Sequence, residues 1–129
     1  MTDALLLDTC ALLWLASDNR ALSAKARSMI ENAQVLYISP VTAWEIAVKV
    51  SKDKIQLPLS PREWFDGVVK LYDISVLKLT ADDMLRSAEL PWLHKDPADR
   101  FIIASALKNG FTVVTSDGNF EKYGVKTIC

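Results

Sequence analysis

Histidine and cysteine are scarce in this sequence. Its 129 residues include one histidine and two cysteines, Cys10 and Cys129. Neither the number nor the spacing of the cysteines fits a disulfide framework or a zinc site, so we expect both to be reduced thiols. The candidate metal ligands that remain are carboxylates, which favour magnesium or manganese over zinc.

Glycine and proline are also few. The chain has four glycines and five prolines, and no run of serine, glycine or like charges forms a linker or a repeat. Half of the residues are hydrophobic, which at this length is enough to bury one core. We therefore predict a single domain over residues 1–129.

Basic charge is not in excess. The chain has fifteen lysines and arginines and sixteen acids, which argues against a broad basic surface for nucleic acid. Any RNA contact must therefore use local cations or a bound metal. The apolar run that ends at Ala16 lacks a basic start and contains Asp8, unlike a secretory signal or a membrane span. We expect a cytoplasmic protein with no membrane segment.

Short apolar runs alternate with helix signals along the chain. The predicted strands are Ala4 to Leu7, Val35 to Ile38, Ile74 to Leu79, Phe111 to Thr115 and Val125 to Ile128. Helices are predicted at 9–16, 23–32, 40–52, 61–71, 80–89 and 97–109, three of them after a Ser-Pro or Asp-Pro start. This order predicts the α/β class, with a mostly parallel sheet of four or five strands covered on both faces.

Four acids fall at or near the transitions from strand to helix: Asp8, Glu45, Asp99 and Asp117. Parallel sheets bind ligands beyond the carboxyl ends of their strands, so these positions are candidates for a site. Position alone is not proof, because Asp82 and Asp83 also open a helix after a strand.

Each acid has a structural alternative. Asp8 can cap a helix, although a functional role is favoured at the end of a central strand. Glu45 lies on a helical stripe with Lys49, and spacing alone favours a solvated ion pair between them. Asp117 lies in a Ser-Asp-Gly-Asn turn, and taken alone it is better explained by turn chemistry.

Asp99 is the most informative acid. Helical spacing places it on the same face as Ile102, Ile103 and Ala106, which should pack on the sheet. The alternative is a capping arrangement in which Asp96 is the cap and Asp99 interacts with the helix dipole. The two interpretations have equal weight.

The hypothesis of a site depends on convergence. Two carboxylates about 5 Å apart repel by roughly 3 kcal/mol at an effective dielectric near 20, so several of them together require a cation. Oxygen ligands suit Mg²⁺ or Mn²⁺, and such an ion can activate water against a phosphate.

Four segments carry a resemblance to a known family: Leu5-Leu6-Leu7-Asp8-Thr9, Ala43-Trp44-Glu45-Ile46, Asp96-Pro97-Ala98-Asp99-Arg100-Phe101-Ile102-Ile103-Ala104 and Thr115-Ser116-Asp117-Gly118-Asn119-Phe120. In this order they resemble the motifs of PIN-domain nucleases, over nearly the whole chain. The resemblance is closest to VapC-type toxins that carry a His-x-Asp-Pro-x-Asp-Arg segment, here His94 to Arg100.

This resemblance implies a PIN-like three-layer α/β/α sandwich and a Mg²⁺- or Mn²⁺-dependent endoribonuclease held inactive by a cognate antitoxin. It implies metal and catalytic roles for Asp8, Glu45, Asp99 and Asp117, the last directly or through water. Supporting roles fall to Thr9, Thr115, Asp96 and Arg100, and we expect Arg100 to pair with an acid rather than contact phosphate. His94 is better explained as a plain polar residue at a helix start.

The family further implies a homodimer and an apolar groove for an antitoxin helix. Trp64, Phe65, Tyr72 and Trp92 are candidates for that groove, although core packing better explains most of them.

Two other enzyme classes fit poorly. A phosphatase of the haloacid dehalogenase type needs a second aspartate two residues after the first, where this chain has Cys10. A receiver domain needs an aspartate after its third strand, and none stands there in a suitable context. A PIN-fold protein that binds RNA or a partner without cleavage, or a housekeeping RNA-processing nuclease, stays open as an alternative.

Overall fold

Five parallel strands form one sheet in the computed structural model, which describes residues 4–129. The sheet order is β3-β2-β1-β4-β5, with β1 at Ala4–Leu7, β2 at Val35–Ile38, β3 at Ile74–Val76, β4 at Thr112–Val114 and β5 at Thr127–Ile128. Residues 1–3, the start of the segment compared above with a secretory signal, lie outside the described residues.

The central strand, β1, is buried on both faces. Leu5 and Leu7 pack into one hydrophobic cluster, and Leu6 packs into a second cluster on the opposite face. This follows from the alternation of side chains along a strand. A continuous apolar run is therefore what this position requires, and it explains why Asp8 is delivered to the carboxyl edge of the sheet.

Six α-helices cover the sheet in the described part of the chain: α1 (Thr9–Ala16), α2 (Ala24–Asn32), α3 (Pro40–Ser51), α4 (Pro61–Leu71), α5 (Ala81–Glu89) and α6 (Pro97–Asn109). Residues of α1, α2 and α4 pack on the side of Leu5 and Leu7, and those of α6 pack on the side of Leu6. The predicted three-layer α/β/α arrangement is confirmed.

Local sequence sets the helix ends. Ser39, Ser60 and Asp96 each accept a backbone N–H at a helix start that is followed by proline. Helix α6 ends at Gly110, whose φ of 71° is in the left-handed region that glycine adopts without strain.

The strands on the carboxyl-terminal side of the chain are shorter than predicted. Strand β3 ends at Val76 rather than Leu79, although the Leu77 amide still donates to the Ile38 carbonyl at 2.9 Å. Strand β5 begins at Thr127 rather than Val125, because Glu121–Tyr123 forms a 3₁₀ turn before it. Within residues 4–129, no helix is both long and apolar enough to cross a membrane.

Candidate active site

Asp8 directly follows β1 and caps helix α1. Its Oδ1 accepts the Ala11 amide at 2.8 Å, and its backbone N–H donates to the Val114 carbonyl at 3.1 Å. Burial raises the pKa of the Asp8 carboxyl; bonds from Thr115 and Ala11 oppose that rise, and the Asp117 and Glu45 charges add to it. The capping alternative and the functional prediction therefore describe the same side chain.

Glu45 reaches the same edge from α3. The Thr9 hydroxyl donates to Glu45 Oε1, and it lies 3.1 Å from the hydroxyl of the buried Thr42. Lys49 Nζ lies 3.7 Å from Glu45 Oε2, so the ion pair expected from spacing is present. The Glu45 side chain is only 17% exposed, however, which is far from a solvated helix face. The Thr9 hydroxyl is therefore placed where it can orient this carboxylate.

Asp96 and Asp99, at the start of α6, differ in their contacts. Asp96 Oδ1 accepts the Asp99 amide at 3.2 Å, which confirms Asp96 as the cap. Burial raises the pKa of Asp99 to about 6; a hydrogen bond with His94 opposes this rise, and the charges of Asp96 and Asp8 add to it. Asp99 is therefore a carboxyl group whose charge the fold does not fully neutralise.

Asp117 enters from the loop after β4. Its Oδ1 accepts the Asn119 amide at 2.9 Å, as in the predicted turn, and its own amide donates to the Thr115 hydroxyl at 3.0 Å. The turn leaves Oδ2 pointing at His94 Nε2, 3.3 Å away. Turn chemistry is thus the means by which this carboxylate is aimed at the site.

His94 is the residue that sequence analysis undervalued. Its Nε2 lies 2.7 Å from Asp99 Oδ2 as well as 3.3 Å from Asp117 Oδ2. One ligand atom from each of these three residues lies within 4.8 Å of the other two. The signal was present in the sequence, since the only histidine lies five residues before Asp99 in the motif-bearing segment.

The expectation for Arg100 is wrong. Its side chain is buried, and it donates to the backbone carbonyls of Ser87 and Leu90 at 2.8 Å each, and to those of Pro91 and His94 at 3.0 and 3.1 Å. Within residues 4–129 no carboxylate lies within ion-pair distance of it. Arg100 pairs with no acid because its donors are used by a loop.

Most of the aromatic residues proposed for a groove belong to the core or its border. Trp64 is buried, Phe65 and Tyr72 pack against the same cluster, and the Tyr72 hydroxyl donates to the Leu15 carbonyl at 3.2 Å. Trp92 differs, because it is 71% exposed and the Arg100 guanidinium lies 3.7 Å from its ring centroid. Core packing is confirmed for Trp64.

The four acids converge on one edge of the sheet. The charges of Asp117 and Glu45 act on Asp8, and that of Asp8 acts on Asp99, so the four are electrostatic neighbours. The cationic groups beside them are Lys49 and, when protonated, His94. Carboxylates that are buried or partly buried, with the pKa values of Asp8 and Asp99 raised, fit a divalent cation, with one imidazole nitrogen as an additional donor.

The fold and the site together define a class: an α/β domain with an acidic, metal-compatible centre at the carboxyl edge of a parallel sheet. The sequence matches the PIN domain family over residues 5–126, and the chain belongs to that family.

Relatives cover most of the chain. It is 28% identical over 119 residues to Ribonuclease VapC22 of Mycobacterium tuberculosis, across 92% of this chain and 90% of that protein. It is 31% identical over 107 residues to the plasmid stability protein StbB of Pseudomonas syringae pv. tomato, across 74% and 75% of the two chains.

Solved structures support the same fold. VapBC2 from Rickettsia felis, bound to a DNA fragment from its promoter, aligns with a TM-score of 0.68 at 16% identity over 97% of each chain. DNA-bound VapBC from Salmonella typhimurium aligns with a TM-score of 0.66 at 18% identity, over 99% of this chain and 98% of that one. At such identities the likeness concerns the fold alone.

Proposed function

We propose that this chain is a metal-dependent endoribonuclease and the toxin of a toxin–antitoxin pair. The observation that carries the proposal is the convergence of Asp8, Glu45, Asp99 and Asp117 at one edge of the sheet. The ribonuclease VapC22, which aligns over nearly the whole chain, supports the same activity. A cytoplasmic location follows from an RNA target.

Asp8, Glu45 and Asp99 would hold Mg²⁺ or Mn²⁺, with Asp117 assisting. Such an ion would supply an activated water as the nucleophile and would offset the charge that builds up on the phosphate. His94 Nε2 lies close enough to join the ligands, and a nitrogen donor of this kind favours Mn²⁺ over Mg²⁺. No protein nucleophile is required.

The surrounding residues set the geometry of these carboxylates. Thr9 holds Oε1 of Glu45, and the Ala11 amide holds Oδ1 of Asp8. The Thr115 hydroxyl accepts the Asp117 amide, the Asn119 amide holds Oδ1 of Asp117, and His94 Nε2 lies 2.7 Å from Oδ2 of Asp99. Each acid thus keeps at least one carboxylate oxygen fixed, which reduces the reorganisation needed when a cation and a substrate bind.

A cavity beside the site suits an RNA backbone. It measures about 230 Å³ and is lined by Trp44, Glu45, Val48, Lys49, Lys52, Lys54, Asp96, Pro97 and Ala98. In the described part of the chain, no acid lies within ion-pair distance of Lys52 or Lys54. These cations supply the local positive charge that the overall composition lacks.

A partner helix fits the other side of Trp44. The surface there forms a cavity of about 570 Å³, lined by Ala43, Trp44, Ala47, Ser60, Pro61, Arg62, Phe65 and Asp66. Trp44 is 60% exposed although it is a large aromatic residue, which is typical of interfaces. We propose this groove for the antitoxin, and a homodimer as the assembled toxin.

Magnesium-dependent cleavage of a structured RNA by the purified protein tests the activity. We expect cleavage by the wild type that stops on chelation and falls at least about a hundredfold in Asp8→Asn and in Asp99→Asn. Asp83→Asn is the matched control, because Asp83 is a buried acid whose partner is Lys108. Cleavage that survives both site substitutions or needs no metal would overturn the proposal, and RNA binding without cleavage would favour a non-catalytic role.

A further inference from the structure

The segment that carries His94 is held by side chains rather than by regular secondary structure. We define the His94 loop as residues 90–96, between the end of α5 and the start of α6. Arg100, in the first turns of α6, reaches back and donates to three carbonyls of this loop, those of Leu90, Pro91 and His94. A fourth bond, to Ser87 at 2.8 Å, ties the loop to α5.

Tyr123, in the 3₁₀ turn Glu121–Tyr123, holds the same loop. Its hydroxyl accepts the amides of Leu93 and His94 at 3.1 and 2.9 Å. It donates to the Pro91 carbonyl at 2.7 Å, and it accepts a bond of 3.3 Å from Arg100. One phenol oxygen and one guanidinium therefore account for most of the polar contacts of the loop backbone.

The contacts of Arg100 with the His94 loop are unusual for a purely stabilising interaction. Arg100 is 4% exposed, and a buried cation normally has a carboxylate partner. Here the planar guanidinium donates its hydrogen bonds to carbonyl oxygens. These bonds fix one path for the backbone of the short loop. That path ends with the His94 ring in contact with Asp99 and Asp117.

We propose that Arg100 and Tyr123 are positioning residues of the active site: together they hold the His94 loop so that the imidazole meets Asp99 and Asp117. They act through His94, and within residues 4–129 the side chains of Arg100 and Tyr123 make no hydrogen bond or ion pair with either of these acids. The inference rests on the proposed function for its kinetic consequence, but the placement of the His94 ring can be tested without it.

Tyr123→Phe is the decisive variant, because it keeps the ring and removes only the oxygen that holds the loop. We expect kcat for RNA cleavage to fall about tenfold with little change in KM, since removing a supporting residue around a metal site typically costs this much. In the His94→Ala background the same substitution should change kcat less than twofold. A loss that is equal in both backgrounds would show a merely structural role.

The second measurement is NMR of the His94 imidazole, whose signals are unambiguous because the sequence has one histidine. At fixed pH, Tyr123→Phe should move the ring signals toward their positions in the urea-unfolded chain. Tyr37→Phe is the control, because Tyr37 lies in β2 and its ring stacks on Phe111, with the ring centroids 4.7 Å apart. Unchanged ring signals in a folded Tyr123→Phe protein would overturn the proposal.

The two measurements separate the possible failures. A wild type without cleavage would count against the proposed function alone, and the NMR comparison would still decide the role of Tyr123. If His94→Ala leaves no measurable cleavage, the His94 ring signals of wild type and Tyr123→Phe decide the role of Tyr123. Arg100→Lys keeps the charge but loses the fork, and we expect the same displacement of the His94 signals in that variant.

Discussion

Asp83 and Asp99 occupy similar places in the sequence but opposite electrostatic environments. Each lies in the first turn of a helix, α5 or α6, three residues after the cap. Asp83 accepts Lys108 Nζ at 2.8 Å and closes a capping box with Thr80, and these bonds lower its pKa to about 2. For Asp99, burial among other acids raises the pKa to about 6.

The difference lies in the partners of the two acids. An acid with a cationic partner and a cap bond stabilises the fold in its charged form. An acid that is buried beside other acids makes the charged fold less stable, and a ligand that brings positive charge would offset this cost. Local sequence does not distinguish the two, whereas their partners in space do.

The largest expected effect is on the stability of the metal-free protein. Asp99→Asn should raise the free energy of unfolding at pH 7 by up to about 3 kcal/mol, since each pKa unit corresponds to about 1.4 kcal/mol. Asp83→Asn should lower it, because Lys108 loses its partner. Urea unfolding in the presence of a chelator measures both. Changes of the same sign in the two variants would contradict the comparison.

The pH dependence of stability should follow from the same pKa. The folded state holds the Asp99 proton more tightly than the unfolded chain, so it binds more protons between about pH 4 and pH 6. Stability of the metal-free protein should therefore fall as pH rises through this window and level off above it. The difference between wild type and Asp99→Asn isolates this contribution, and a difference that is constant from pH 4 to pH 7 would exclude it.

The smallest effect concerns the cations beside the site. Lys52→Ala combined with Lys54→Ala should reduce the slope of log affinity against log salt by about 1.4 for a short single-stranded RNA, because each phosphate contact contributes about 0.7. Binding is measured with a chelator present to prevent cleavage. The control pair is Lys70→Ala with Lys126→Ala, which precede β3 and β5 and so lie at the opposite edge of the sheet. Equal slopes for the two pairs of variants would show that RNA does not bind in this cavity.

The helix starts and the burial of β1 on both faces were predictable, because they depend on local sequence. Ser39 and Asp96 before proline define the starts of α3 and α6, and the run at Leu5 to Leu7 requires a strand buried on both faces. The exact ends of β1 and β2 were predicted, but those of β3, β4 and β5 were not, since pairing with neighbours decides them. Strand β3, for example, stops at Val76 although apolar residues continue.

The sequence predicts the positions of the four acids at the carboxyl edge of the sheet, but not the contacts around them. Each structural alternative considered for Asp8, Asp96 and Asp117 describes a hydrogen bond that is present, and such a bond does not exclude the proposed role. The contact of His94 with Asp99 depends on a loop path fixed by Arg100 and Tyr123, which are distant from each other in sequence. No pattern within one segment carries that information.

The central claim is that the four acids at the carboxyl edge of the sheet form a divalent cation site. Calorimetric titration of the wild type, Asp99→Asn and Asp83→Asn with Mn²⁺ at pH 7 tests it most directly. We expect one saturable binding process in the wild type, an affinity at least about tenfold weaker in Asp99→Asn, and a change of less than twofold in Asp83→Asn. Equal affinities for wild type and Asp99→Asn, or no binding by the wild type, would contradict the account.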